Sequence, residues 1–166
     1  MIKRIVFSLF AAALLLAVGK QFDRPVKNDS NDQTKHIATL FPVPDSVETI
    51  LRTACYDCHS NNTRYPWYSE IQPVGLWMDD HVRHGKKDLN FSEFASYRPR
   101  RQFRKMEEVE ELVRDGLMPI PDYLKMHDDA VLNESQRQTL FAWVRSTRDS
   151  MKNLYHPDSL KARPRK

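Results

Sequence analysis

The sequence predicts an all-α domain of about four main helices. Three observations lead there. Apolar residues recur at helical spacing in four separate stretches, capping or breaking residues bound those stretches, and only 4 of the 166 residues are Gly. Hairpin turns with positive φ rely on Gly and Asn, so this scarcity disfavours a strand-rich fold. Hydrophobic residues at 40% and charged residues at 29% allow a core and exclude wholesale disorder.

The elements follow in order. Residues 1–22 read as a signal peptide or membrane anchor, since Met1-Ile2-Lys3-Arg4 precedes an apolar run from Ile5 to Gly19. That run is 15 residues long, short of the roughly 20 expected of a membrane span. The stretch Lys20-Gln21-Phe22-Asp23 lacks small residues for a peptidase, which tilts the reading toward an anchor. Both readings place the remainder outside the cytoplasm, anchored to the membrane or secreted. Residues 23–40 are polar and read as a linker, 41–152 as the folded domain and 153–166 as a basic tail.

Within the domain, Asp45 and Glu48 have capping-box spacing, and Val47, Ile50, Leu51, Ala54, Cys55 and Cys58 share one helical stripe. A second helix is expected from Gln72-Pro73, with Val74, Trp77, Met78, His81 and Val82 inward and Gly85 as its end. A third should run from about Arg101 to Asp115 and stop at Gly116. The fourth begins at Asn133, with Gln136 in the capping-box position, and buries Leu140, Val144 and Met151. The prolines of Met118-Pro119-Ile120-Pro121 hold the intervening loop extended.

One stretch carries chemistry. Cys55-Tyr56-Asp57-Cys58-His59 is a Cys-x-x-Cys-His motif. Each thiol can add its S–H across one haem vinyl group, and the adjacent imidazole then ligates the iron. The reading is one covalent haem c held by Cys55 and Cys58, with His59 as proximal ligand. A redox dithiol needs a strand–helix context that this sequence lacks. A zinc site completed by His81 and His84 would have tighter spacing than usual. With only two cysteines, three positions apart, no disulfide can join distant parts of the chain.

A six-coordinate iron needs a distal ligand. Met118, on the proline-stiffened segment after the third helix, leads, and Met–His ligation suits electron transfer. His127 is the rival in the same loop, and His81, on the apolar stripe of the second helix, is the third option. An open sixth position remains a further alternative. Trp67, Trp77 and Tyr65 are candidate walls for the macrocycle, and Arg98, Arg100 and Arg101 candidate partners for its propionates.

The run from Cys55 to Tyr68, together with Ile71-Gln72-Pro73-Val74, Asp80-His81-Val82, Leu89 to Glu93, Met118-Pro119 and the loop from Tyr123 to Ala130, resembles a small bacterial haem-binding domain family with a c-type motif. The resemblance spans roughly residues 40–150. It implies a fold similar to class I cytochromes c around one haem, the same three attachment residues, Met118 as distal ligand with His127 also on a family position, and an N-terminal membrane segment. The insert from Ser60 to Arg101 is longer than in a minimal cytochrome c and is expected to cover the haem edge or shape a distal pocket.

The expected function is single-electron transfer to a redox partner protein in the cell envelope, with no separate catalytic residues and the membrane met through the N-terminal helix. The alternatives are a haem enzyme or sensor for peroxide or a diatomic gas, with an open distal site, and a zinc-binding interaction module. The formal charge of +4 gives no basis for nucleic-acid binding. Lys3, Arg4 and Lys20 belong to the N-terminal segment, and the rest of the chain has 23 basic against 22 acidic residues.

Overall fold

A computed structural model describes residues 2–20 and 24–161. Among them there are eight α-helices and no strand, only an isolated antiparallel bridge between Asp29 and Asn62. The all-α expectation holds. The helices are α1 (Ile2–Lys20), α2 (Asp45–Ala54), α3 (Tyr56–His59), α4 (Val74–Asp88), α5 (Pro99–Arg114), α6 (Pro121–Leu124), α7 (Glu134–Leu154) and α8 (Pro157–Leu160).

Helix α1 is apolar on all sides, and its large side chains from Ile2 to Val18 stand exposed. Among the described residues no helix is long and apolar enough to cross a membrane.

The core forms where α5 and α2 both pack against α7. Leu140, Val144 and Met151 of α7 meet Met106 and Val113 of α5 and Val47, Ile50 and Leu51 of α2, all buried. Helix α7 begins as its sequence dictates. The Asn133 side chain accepts from the Gln136 amide, and the Gln136 side chain accepts from the Asn133 amide, each at 2.9 Å. The α2 cap differs from expectation. Pro44 is the N-cap and Asp45 the first helical residue, so Asp45 meets the helix dipole without bonding an amide.

One further boundary is corrected. Helix α4 passes through Gly85 and ends at Asp88, so Gly85 is not its terminator. Val74 and Trp77, assigned to its inner face, are exposed. Gly116 does end α5, with φ at +70°. Its amide donates to Val113 and the Leu117 amide to Leu112, a Schellman turn that needs a left-handed residue.

Residues 24–40, read as a linker, lie against the domain. Ile37 is fully buried in the core, and Asn28 bonds both Ser60 and Thr63. The part of the expected tail that is described also packs. The Tyr155 hydroxyl donates to Gln102 at 3.0 Å, and α8 rests on α5; residues 162–166 lie outside the described residues.

Candidate functional site

The Cys55–His59 motif straddles the break between α2 and α3. Cys55 is the residue between the two helices, and α3 carries Cys58 and His59. Helix α3 packs on α4 at very close range. A Cβ built on Gly85 would lie 2.6 Å from the Cys58 carbonyl oxygen, so only glycine permits the approach. The expected stop signal is therefore a contact point.

That approach decides the state of His59. Its Nδ1 lies 2.9 Å from the Leu89 carbonyl and 3.1 Å from the Gly85 carbonyl. Carbonyls only accept, so Nδ1 carries the hydrogen in a three-centre bond and Nε2 keeps its lone pair. Burial lowers the pKa of this imidazole, with the two carbonyl bonds opposing it. His59 is thus neutral, oriented and ready to ligate through Nε2.

Both cysteines are free. Burial pushes the Cys55 thiol up to about 12 and the Cys58 thiol to about 11, so both are uncharged S–H groups at neutral pH.

A cavity of about 370 Å³ opens beside the motif. Cys55, Cys58, His59, Met118, His81 and His84 all line it, and its walls are mostly apolar. Helix α4, from the insert, forms one side. His81 and His84 each direct Nδ1 to a backbone carbonyl four residues earlier, Trp77 and Asp80, at 2.8 Å. In the neutral form of either ring, that contact puts the hydrogen on Nδ1 and leaves Nε2 as the acceptor.

His127 is placed elsewhere. It lines a small adjoining cavity of about 20 Å³ and not the larger one. Its Nε2 pairs with the Tyr68 hydroxyl at 2.7 Å, and its ring stacks on Tyr123 at 4.0 Å. Trp67 is 75% exposed and lines neither cavity, and Trp77 borders only the smaller. None of the three arginines lines the larger cavity. Arg101 caps α4 instead, donating to the Lys87 and Asp88 carbonyls at 2.9 and 3.0 Å, and lies over the Tyr97 ring.

One set of residues was not singled out from the sequence. Asp57, inside the motif, is only 6% exposed. It accepts from the Arg64 amide at 3.0 Å and from the Arg64 guanidinium at 3.2 Å. The Tyr123 hydroxyl donates to it at 2.7 Å. Burial first, then the bond to Asp57, raises the Tyr123 pKa, so that hydroxyl stays a donor. The faint signal was an acid buried within a motif and an arginine seven residues on.

Residues 15–146 match the haem-binding domain family. The chain belongs to that family. No curated protein and no solved structure matches it. Haem is therefore the cofactor class, and the donors of this haem-binding domain suit it. Two uncharged thiols, an imidazole with a free Nε2 and a thioether share one mostly apolar cavity. Among the described residues no group of three or more His, Cys, Asp or Glu is placed to hold a metal ion.

Proposed function

We propose that this haem-binding domain carries one covalent haem c and passes single electrons in the cell envelope. The observation that carries this reading is the convergence of Cys55, Cys58, His59 and Met118 on a single cavity. Cys55 and Cys58 are the attachment points, His59 the proximal ligand and Met118 the distal one. When bound, the haem supplies a one-electron couple, and Met–His ligation raises its potential. The protein supplies the rest. Gly85 and Leu89 fix the His59 tautomer, the apolar walls limit water, and α4 covers one side.

The location on the periplasmic side rests on the basic–apolar N-terminus, and the partner is a redox protein. A haem protein with this role needs no further catalytic group. The second reading is an open or labile distal site serving peroxide or a diatomic gas. It is favoured by His81 and His84, two imidazoles on the same cavity whose Nδ1 atoms face backbone carbonyls.

The test is a spectrum of the full chain produced with cytochrome c maturation machinery, with a denatured pyridine haemochrome. A c-type haemochrome with the weak red-end sulfur–iron band in the ferric form is expected. A c-type haemochrome without that band moves the assignment to His127 or to an open site, and absence of haem despite active maturation overturns the proposal.

A further inference from the structure

The segment carrying Met118 is tied at both ends. Upstream, the Schellman turn at Gly116 brings the amides of Leu117 and Met118 to the Leu112 carbonyl, at 2.9 and 3.1 Å. Downstream, α6 places Tyr123 so that its hydroxyl donates to Asp57, a residue of the attachment motif itself, 66 positions away in sequence. Asp57 is held in turn by Arg64, through its amide and guanidinium, and the neighbouring Thr63 hydroxyl donates to the Asp57 carbonyl at 2.6 Å.

We propose that Asp57, Arg64 and Tyr123 form a clasp that locks the Met118 segment to the haem-attachment helix and thereby keeps Met118 as the distal ligand. The inference rests on the reading of Met118 as that ligand. A thioether is a neutral, weakly held donor, so its retention depends on how little the loop must be ordered when it binds. A loop anchored only at Gly116 would swing about that end. The bond from Tyr123 to a nine-tenths buried carboxylate removes the freedom at the other end, and bonds to charged groups are the strong ones. The clasp also discriminates between ligands. The same Tyr123 ring stacks on His127, whose Nε2 is occupied by Tyr68, so the element that presents Met118 keeps the rival imidazole out of the larger cavity. Tyr123 and Arg64 are positioning residues that act through Met118.

The experiment compares the haem-loaded full chain with Tyr123→Phe, Arg64→Gln and, as a control that frees His127 but leaves the clasp, Tyr68→Phe. The readouts are the ferric sulfur–iron band and the rate of carbon monoxide binding to the ferrous form, read beside the urea unfolding midpoint so that a loss of global stability is seen separately. Tyr123→Phe should shift the balance toward detached Met118 by about tenfold, with the band weakened and carbon monoxide binding faster in proportion. Arg64→Gln should shift it the same way by a smaller factor, and it decides the matter should Tyr123→Phe not fold. Tyr68→Phe should keep the band. A wild-type band together with a wild-type rate of carbon monoxide binding in Tyr123→Phe overturns the clasp. A band lost equally in Tyr68→Phe assigns the effect to the His127 cavity and also overturns it. A wild-type protein with no band at all overturns the Met118 reading, and this inference falls with it, a failure visible before any variant is made.

Discussion

His59 shares its Nδ1 hydrogen between the carbonyls of Leu89 and Gly85, so the last turn of α4 orients the imidazole of the motif. This links packing directly to the proposed ligation. The two carbonyls reach His59 only because α3 and α4 meet where a side chain is missing.

Gly85→Ala therefore tests the arrangement. In an unpacked helix the change would stabilise by up to about 1 kcal/mol. Here the new Cβ would meet the Cys58 carbonyl oxygen at 2.6 Å, and overpacking of this kind costs about 1–3 kcal/mol. A net loss in urea unfolding and a lower haem yield are expected. A variant more stable than wild type would show that α3 and α4 do not pack this closely.

Ligand substitutions address the distal position. Met118→Ala should abolish the red-end band and lower the reduction potential, because it removes a thioether that favours the ferrous state. His127→Ala should leave both unchanged, since His127 stands outside the larger cavity on its bond to Tyr68. The reverse pattern in paired potentiometric titrations would make His127 the ligand. A band insensitive to Met118→Ala but lost in a His81 variant would point to α4.

Acid stability should depend on Glu110. Its carboxylate is bonded by Arg145 at 2.6 Å and by Arg114, and the Arg145 bond is the main reason its pKa falls below the ordinary 4.5. A depressed carboxylate stabilises the fold fully above the unfolded value and loses that contribution as pH falls through the folded value. Glu110→Gln should cost about 1 kcal/mol at pH 7, kept small because both arginines are more than half exposed. At pH 3 the gap between variant and wild type should narrow. Denaturant titrations at the two pH values provide the check, and an equal gap at both would remove Glu110 from the acid response.

The start of α7 offers a local test. Asn133→Ala breaks the capping box and should cost about 1 kcal/mol, whereas Asn133→Gly should cost only a few tenths. Thermal melts should rank wild type, Gly and Ala in that order, with the haem spectrum unchanged in all three.

The features legible in the sequence are those whose energetics are local. The reciprocal bonds of Asn133 and Gln136 span three residues, the apolar stripes of α2 and α7 repeat with the helical turn, and Gly116 terminates α5 through its own backbone freedom. The Cys55–Cys58–His59 spacing is equally local, so the cofactor class could be read from five residues. Local rules misassigned Gly85 and Asp45 for the same reason. A glycine reads as a stop and an acid before a helix as a cap until the neighbouring helix and the preceding proline are known.

By itself, then, the sequence determined an all-helical chain with a haem-type motif, because caps, periodicity and motif spacing act within a turn or two; the break that puts Cys58 and His59 on a helix of their own was not legible. Only the tertiary structure decided which groups face the motif. It brought Met118, His81 and His84 to the cavity, turned His127 onto Tyr68 and Tyr123, buried Ile37 in the core and joined Tyr123 to Asp57. Those choices depend on contacts between residues tens of positions apart. Their free energy comes from burying shared surface and pairing buried polar groups, and no local window contains both partners.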